Sequence, residues 1–213
     1  MNDKEIRSEL KSQLIAKYFG DSETVIIDEL GLRHGACRID LVVVNGVLHG
    51  FELKSNSDTL KRLARQAETY NRILDRVTLV LGVRHFQKAS AIVPDWWGLQ
   101  VADRTDRGVQ LVDLRDPQRN PSPDPVAIAR LLWRDEALAL LREVDRDRGF
   151  HSKRRAAIYA RLAEVLGLEF LRARVRERLR AREGWRSAGQ RVSCGGLSLH
   201  EATSLGFPVL PQM

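Results

Sequence analysis

The chain has 213 residues, a hydrophobic content of 43% and a formal net charge of +7. This length and composition can bury a sizeable core and suit one main domain with an appendage, and no apolar run approaches the roughly eighteen residues needed to cross a bilayer. Because the N-terminus is charged rather than signal-like, we expect a cytoplasmic protein without a membrane partner. The two cysteines, Cys37 and Cys194, lack C-x-x-C spacing and indicate neither a disulfide framework nor a zinc site.

The first part of the chain predicts a helix followed by strands. An amphipathic helix is expected over residues 3–19. Its apolar stripe consists of Ile6, Leu10, Leu14 and Tyr18. A short strand over residues 24–27 comes next. Two β-type stretches, residues 38–44 and 47–54, are joined by Asn45-Gly46, which is a strong hairpin signal.

The remaining elements alternate between helix and strand and then become helical. A helix capped by Ser57 or Asp58 is predicted to run to about residue 75, and a strand follows at 78–82. Further strands are predicted at 99–102 and 109–114 around a polar turn. Prolines interrupt regular structure over residues 116–125. Three helices and a flexible tail complete the prediction, at residues 126–143, 153–166 and 168–183 and from residue 187 onward.

The predicted hairpin carries charged side chains into an apolar environment. Asp40 lies in its first strand, and Glu52-Leu53-Lys54 ends its second strand. Burying a charge costs several kcal/mol unless the charge is paired or bound to a metal. The pattern therefore indicates a functional site. For an isolated E-x-K triplet, a buried ion pair of Lys54 with an acid is the alternative interpretation.

Strand alternation places Glu52 and Lys54 on one face, and the turn decides whether Asp40 joins them. A two-residue loop would pair Asp40 with Phe51 and leave Asp40 on the opposite face. A bulged three-residue loop would pair Asp40 with Gly50, diagonal to Glu52, with open space above Gly50. We expect the bulged register or an equivalent bulge, because only a shared face would form a site.

These residue types suit metal-assisted hydrolysis. Magnesium prefers carboxylate and carbonyl oxygens, so Asp40, Glu52 and the Leu53 carbonyl could hold it while phosphate oxygens complete the coordination. Lys54 would lie near the bound water, where it could orient or deprotonate that water or neutralise charge on the phosphorane.

Asp40 followed by Glu52-x-Lys54 resembles the core of the PD-(D/E)xK nuclease superfamily. The resemblance implies an α/β fold with a restriction-endonuclease-like αβββαβ core, in which helices flank a mixed central sheet, plus a C-terminal helical appendage in this chain. It also implies a magnesium-dependent deoxyribonuclease in which manganese can substitute for magnesium. Ile39 precedes Asp40 where the superfamily's name has proline, and that proline is often absent.

Three further residues extend this resemblance. Glu29 resembles an additional metal ligand of the superfamily, and Asp28 and Glu23 are rivals for that role. Gln66 and Tyr70 lie four residues apart, so they share a helix face. They resemble the Q-x-x-x-Y element of the exonuclease-like branch related to RecB. From that face they could contact DNA or support the metal ligands.

The chain also resembles a largely uncharacterised bacterial family over about residues 1–145, through motifs that include Pro94-Asp95-Trp96-Trp97-Gly98. DNA repair and defence against foreign DNA are both compatible with this resemblance. An RNA substrate and a protein partner stay open, and cutting both strands with one site per chain would favour a homodimer. The alternative function is a non-catalytic nucleic-acid-binding module or adaptor that retains the nuclease fold.

Positive charge is concentrated late in the chain. Residues 1–150 contain 23 Lys/Arg and 23 Asp/Glu, whereas residues 151–191 contain 12 and 4. A basic appendage suggests an arm that binds nucleic acid with salt-sensitive affinity, and a solvated helix with internally paired arginines is an equal alternative. The arm arginines are Arg172, Arg174, Arg176, Arg178, Arg180 and Arg182. The predicted segments are a nuclease-like domain, a Pro-rich linker, a basic helical region and a flexible tail, at residues 1–115, 116–125, 126–186 and 187–213.

Overall fold

A computed structural model describes residues 1–182 and 191–195 of the chain. The strands are β1 (Val25–Leu32), β2 (Cys37–Val44), β3 (Leu48–Lys54), β4 (Arg76–Gly82), β5 (Gly98–Thr105), β6 (Gly108–Arg115) and β7 (Arg191–Ser193). They form one mixed sheet in the order β6-β5-β4-β3-β2-β1-β7. Strands β3, β4 and β5 are parallel neighbours, and the other neighbouring pairs are antiparallel.

The helices are α1 (Asp3–Lys17), α2 (Leu63–Tyr70), α3 (Phe86–Ser90), α4 (Pro125–Ala129), α5 (Arg134–Glu143), α6 (Arg155–Val165) and α7 (Leu168–Ala181). The predicted α/β class is confirmed, with helices on both sides of a mixed sheet and a helical C-terminal part. In the part of the chain that is described, no helix combines the length and apolarity needed to span a membrane.

Two predicted helices differ from the observed ones. The single helix expected over residues 126–143 is divided into α4 and α5. The chain is extended at Trp133, whose N–H donates to Glu136 Oε2 at 2.7 Å and so begins a second helix. The helix expected to begin at a Ser57 or Asp58 cap and to reach residue 75 runs only from Leu63 to Tyr70. The Asp58 carboxylate instead accepts the Ser55 N–H at 2.7 Å, and the Asp75 N–H donates to the Leu48 carbonyl.

Each face of the sheet is covered by its own hydrophobic core. Helix α1 packs Ile6, Leu10 and Leu14 against one face, where Phe51 and Leu53 of β3 are also buried. Helix α2 and the four helices α4–α7 share one continuous cluster with the strands on the other face. The C-terminal helical region is therefore packed on the sheet through a common core.

The segment predicted as a linker lies against the body of the protein. Asn120 is buried, and its Nδ2 donates to the carbonyls of Asn71 at 2.7 Å and Leu74 at 2.8 Å. The chain also passes close to Gly98, where an added Cβ would lie 3.0 Å from the backbone nitrogen of Pro117. This close approach explains the glycine that ends the P-D-W-W-G motif.

A buried ion pair fastens α7 to the sheet. The Oδ1 atom of Asp75 lies 2.9 Å from Nε of Arg172, and both side chains are buried. The Oδ2 atom of Asp75 accepts from Arg176 Nη1 at 3.2 Å and from the Leu48 N–H at 2.8 Å. One carboxylate therefore joins α7 to the beginnings of β3 and β4.

The other arginines of the predicted arm also contact protein groups. Arg174 and Arg178 pair with Glu143 of α5. Arg180 Nη1 lies 2.5 Å from Glu23, and Arg182 Nη2 lies 2.6 Å from Glu136. The guanidinium of Arg182 also stacks over the Trp133 ring, 4.4 Å from its centroid. The arm arginines thus attach α7 to neighbouring elements.

The end of the described chain adds a strand at a position predicted as flexible tail. Residues 191–193 form β7 beside β1, and Cys194 is buried. Three residues carry too little pattern to predict a strand, and the edge of β1 supplies the pairing that orders them. The other positions of the predicted tail, residues 187–190 and 196–213, lie outside the described residues.

Removing Arg172 should strongly destabilise the protein. Arg172→Ala leaves the buried Asp75 carboxylate without its closest cation, so we expect the free energy of unfolding to fall by about 3–5 kcal/mol. Urea denaturation measures this change. Arg178→Ala breaks a partly exposed pair and should cost no more than about 1 kcal/mol. Equal effects of the two substitutions would contradict the structural role of Arg172.

His49 should make stability depend on pH. Its Nε2 lies 2.9 Å from Thr78 Oγ1 and its ring stacks on Phe51. Burial, with Arg76 and Lys17 nearby, lowers the pKa of His49 from 6.5 to about 3. Below pH 6.5, His49 is protonated in the unfolded chain but stays neutral in the folded chain. As the pH falls below 6.5, the free energy of unfolding therefore decreases by at most about 1.4 kcal/mol per pH unit.

Urea denaturation of wild type and His49→Gln across this pH range tests that expectation. In His49→Gln, the free energy of unfolding should decrease less as the pH falls, because glutamine does not titrate. A wild-type slope retained in His49→Gln would show that other groups cause the pH dependence.

Candidate active site

A cavity of about 540 Å³ opens at the carboxyl end of β3, between α1, α2 and the turn that follows β1. Six of the predicted site residues line it, namely Glu29, Asp40, Glu52, Leu53, Lys54 and Gln66. Tyr70 lies immediately behind them, in hydrogen-bond contact with Glu52. The structure therefore brings together the acids, the lysine and the Q-x-x-x-Y residues that are spread over more than forty positions of the sequence.

The observed hairpin register differs from the predicted one. Val44 pairs with Leu48, so the loop has three residues, but every partner is shifted relative to the expected pairing. The Asn45 side chain accepts the Val47 N–H at 3.0 Å and holds Val47 inside the turn. Continuing the observed register would set residue 40 opposite residue 52.

The space predicted above Gly50 is filled. A Cβ placed on Gly50 would lie 2.3 Å from Cδ1 of Ile39 and 2.7 Å from Cδ1 of Leu74. Glycine is therefore required at this position by close packing of two core side chains, not by an opening between acids. Asp40 and Glu52 reach one cavity because the observed register would set them opposite each other, and opposed residues of antiparallel strands share a face, although the ladder is irregular at Asp40.

That irregularity is visible in the hydrogen bonds of Asp40. The β2–β3 ladder ends at the pair of Leu41 and Phe51, and the Asp40 carboxylate accepts the Leu53 N–H at 2.8 Å. The side chain thus takes a donor that a regular ladder would give to a backbone carbonyl. This bond turns the Asp40 carboxylate toward the end of β3 that carries Glu52 and Lys54.

Glu52 is the most enclosed acid of the cavity, with 1% of its surface exposed. Its Oε1 accepts from Lys54 Nζ and from Gln66 Nε2, the latter at 2.6 Å. Its Oε2 accepts from Tyr70 Oη at 2.6 Å. Burial, followed by the negative charge of Asp40, raises the pKa of Glu52 from 4.5 to about 7.

Helix α2 supplies the polar side chains that contact Glu52. Gln66 and Tyr70 are one helical turn apart, so both point to β3, as the sequence spacing predicts. Tyr70 Oη also lies 2.7 Å from the Arg38 carbonyl, and burial together with Glu52 raises its pKa. Within the described residues, the buried Oε1 of Gln66 has no hydrogen-bond partner.

Arg7 is a site residue that the sequence reasoning missed. Its Nη2 lies 2.6 Å from Asp40 Oδ1 and 2.9 Å from Glu29 Oε1, so one guanidinium bridges two acids. Its Nη1 also donates to the Asp40 carbonyl at 2.9 Å. A charged residue beside the apolar stripe of an amphipathic helix looks like an ordinary solvent-facing position, so no local signal marked it.

Glu29 reaches the cavity through an unusual backbone conformation. Its φ is +55°, a region that non-glycine residues seldom adopt, and it interrupts the ladder between β1 and β2. Its carboxylate also lies 3.5 Å from Nε of Arg38. The rival acids lie elsewhere, since Asp28 pairs with Lys11 and Glu23 pairs with Arg180.

The chemistry of these donors fits a magnesium ion. The carboxylates of Asp40 and Glu52 and the carbonyl of Leu53 are hard oxygen donors, and the unpartnered Gln66 Oε1 could accept a bond from a coordinated water. Arg7 and Lys54 hold the carboxylates at present, so metal binding would replace these cations. In this arrangement, no group of three His, Cys, Asp or Glu side chains in the described part of the chain could hold a metal ion.

Exposed arginines surround the mouth of the cavity. Arg33, Arg62 and Arg65 line it and are exposed. Their side chains make no hydrogen bond or ion pair with the described part of the chain. The arginines of α7, in contrast, contact acids on neighbouring elements. Nucleic-acid binding by the α7 arm stays a prediction.

Comparisons with known proteins identify a phage-related family. The model of the family described as bacteriophage P4 protein cII matches residues 1–189. Protein cII of Enterobacteria phage P4 is 35% identical over 69 residues, which make up 32% of this chain and 26% of that protein. The matched region thus spans about a quarter of that relative's length.

A solved structure of a protein of unknown function from Silicibacter pomeroyi is a more distant likeness. It has 17% sequence identity and a TM-score of 0.43, and the match covers 73% of this chain and 97% of that one. The family model, in contrast, accounts for most of the sequence. Because it matches residues 1–189 of a 213-residue chain, this protein belongs to the family of bacteriophage P4 protein cII.

Proposed function

We propose that the protein is a metal-dependent nuclease that hydrolyses DNA phosphodiester bonds, with Mg²⁺ as its cofactor and Mn²⁺ able to replace it. The observation that carries this proposal is that Asp40, Glu52 and Lys54 meet in one cavity. Acids of this kind are rarely buried without a partner or a role. The resemblance of Asp40 and Glu52-x-Lys54 to the PD-(D/E)xK superfamily agrees with it.

In the proposed reaction, the acids bind the metal ion and Lys54 acts on the water and the phosphate. Asp40, Glu52 and the Leu53 carbonyl would hold the cation, which when bound polarises a phosphate oxygen and lowers the pKa of water. Lys54 Nζ contacts Glu52 and lies 3.1 Å from the Leu53 carbonyl, so it reaches the same donors. From there it orients the attacking water and donates to a phosphate oxygen as negative charge develops.

Supporting residues keep these groups in position. Gln66 and Tyr70 fix the Glu52 carboxylate from α2. The Leu53 N–H fixes the Asp40 carboxylate from the other side, and Arg7 holds it until a metal ion takes its place. Because each acid keeps at least one protein donor beside the metal, the two carboxylates keep a defined separation while substrate binds.

The charge of the cavity mouth favours a polyanionic substrate. Arg33, Arg62 and Arg65 lie around the opening and can contact phosphates beside the one that reacts. DNA is the proposed substrate, and RNA is an alternative that the same contacts would accept.

A second candidate function is a nucleic-acid-binding module without catalysis. It is favoured by one observation, that Arg7 bridges Asp40 and Glu29 while Lys54 pairs with Glu52. The acids are thereby neutralised within the protein, as in a structural cluster. DNA binding that depends on salt and proceeds without turnover would select this function.

Cleavage assays test the nuclease directly. Linear and circular DNA, each single- and double-stranded, are incubated with Mg²⁺, Mn²⁺ or EDTA, and at least one linear substrate should be cut with metal and left intact with EDTA. Lys54→Ala and Asp40→Ala should each lower kcat by at least about 100-fold, because each removes a group that acts on the reacting phosphate or its cation. Cutting of circular substrates would identify an endonuclease.

Lys61→Ala is the matched control, since it removes an exposed lysine close in sequence to the site and should cut like wild type. Far-ultraviolet circular dichroism of each variant confirms folding. Metal-dependent cutting that survives both site substitutions would place the activity elsewhere. No cutting with any metal would leave the binding module as the better function.

Metal binding offers a readout that does not depend on turnover. Calorimetric titration of the wild type with Mg²⁺ or Mn²⁺ should detect a site that is lost in Asp40→Asn. This substitution keeps the size of the side chain and removes the charge that a divalent cation requires. Equal metal binding by wild type and Asp40→Asn would remove Asp40 from the ligand set.

A further inference from the structure

A second cavity, of about 350 Å³, adjoins the candidate active site. It lies between α2, α4 and the turn at residues 33–35, and its charged side chains are Arg33, Arg72, Arg130 and Glu68. Arg33 and Thr69 line this cavity and the larger one as well. The two cavities therefore meet at these two residues.

The second cavity holds more positive charge than its acids neutralise. Three guanidinium groups face one carboxylate of the lining, that of Glu68. Arg72 pairs with Asp124, its Nε lying 3.1 Å from Oδ2. The side chains of Arg33 and Arg130 make no hydrogen bond or ion pair within the described residues. The positive charges around the second cavity repel one another, and an anion bound in the cavity would reduce that repulsion.

The turn that carries Arg33 is held in an uncommon conformation. Arg33, His34 and Gly35 have φ values of 50°, 58° and 89°, so two non-glycine residues adopt the left-handed region in succession. Such residues cost about 1 kcal/mol or more each and persist where their surroundings hold them. Here the His34 ring stacks on Tyr159 of α6, with ring centroids 5.8 Å apart. The turn places the Arg33 side chain between the two cavities.

We propose that the second cavity binds another phosphate of the nucleic-acid strand whose scissile phosphate lies at Lys54. This inference rests on the proposed function, because it takes the larger cavity as the reaction site. The planar guanidinium groups of Arg33 and Arg130 suit phosphate oxygens, which accept paired N–H bonds, whereas one edge of Arg72 is already bound by Asp124. The strand would run from Lys54 past Arg33 to Arg130, so that binding at one cavity positions the phosphate in the other.

Binding measured without turnover tests the cavity. Fluorescence anisotropy with a labelled single strand of about 16 nucleotides, and with a duplex of equal length, is recorded in EDTA at about 50–200 mM salt. Arg33→Gln and Arg130→Gln should each weaken binding about fivefold near 0.1 M salt. Each should also reduce the slope of log K against log salt concentration by about 1, since one phosphate contact is lost.

Arg76→Gln is the matched control. It makes the same change in net charge, but Arg76 is exposed at the start of β4, whereas the site lies at the opposite end of the neighbouring parallel strand β3. Losses in Arg33→Gln and Arg130→Gln no larger than in Arg76→Gln would overturn the proposal. Circular dichroism and thermal unfolding show whether each variant folds. Arg130→Lys, which keeps the charge but loses the paired donors, should retain the salt slope and bind with intermediate affinity.

A free phosphate is the other source of the same chemistry. The same variants are therefore titrated with inorganic phosphate by calorimetry. If Arg130→Gln weakened phosphate binding and left oligonucleotide binding unchanged, the cavity would be a free-phosphate site and the proposal would be wrong. Arginine-dependent oligonucleotide binding with no measurable affinity for inorganic phosphate supports the strand-binding site.

The outcome can be separated from that of the nuclease proposal. If the protein cuts DNA in a manner that requires Asp40, but the variants of Arg33 and Arg130 bind like Arg76→Gln, the phosphate-site proposal is wrong and the nuclease proposal is supported. If binding requires both arginines and no metal ion supports cutting, the nuclease proposal is wrong and the phosphate-site proposal is supported. Wild-type protein that neither binds nor cuts nucleic acid would overturn both proposals.

Discussion

The burial of one carboxylate, that of Glu52, is the constraint on which the site depends. Glu52 lies on a central strand with 1% of its surface exposed, where an unpaired negative charge would cost several kcal/mol. Lys54 from the same strand and Gln66 and Tyr70 from α2 provide its donors. Helix α2 must therefore pack across β3 in one orientation, and the cavity forms where that packing meets the end of the sheet.

Positive charge has two separate roles in this chain. In α7 it binds the C-terminal helices to the sheet, most firmly through the buried pair of Arg172 and Asp75. Around the cavities, Arg33 and Arg130 are left without intramolecular acids among the described residues. Density of arginine along the sequence is therefore a poor guide to where a polyanion would bind, because packing decides which guanidinium groups remain available.

Local sequence pattern predicted much of the fold and part of the site. The stripe of Ile6, Leu10 and Leu14 predicted the buried face of α1, and the four-residue spacing of Gln66 and Tyr70 predicted their common face. The predicted three-residue loop is present, but the predicted pairing of the hairpin was wrong, since the Asn45 side chain holds Val47 in the turn and the Asp40 carboxylate replaces a ladder acceptor. Both effects come from side-chain hydrogen bonds, which the alternation of side chains along a strand does not predict.

The sequence by itself determined the α/β class, the order of the main helices and strands, and the identity of the acids and the lysine, because these depend on periodicity and residue type over short stretches. Tertiary structure alone decided that Arg7 bridges Asp40 and Glu29, and that the turn carrying Arg33 joins two cavities. Those contacts join elements that are distant in the chain. Their geometry follows from how the two cores pack on opposite faces of the sheet, a property that no single stretch of sequence carries.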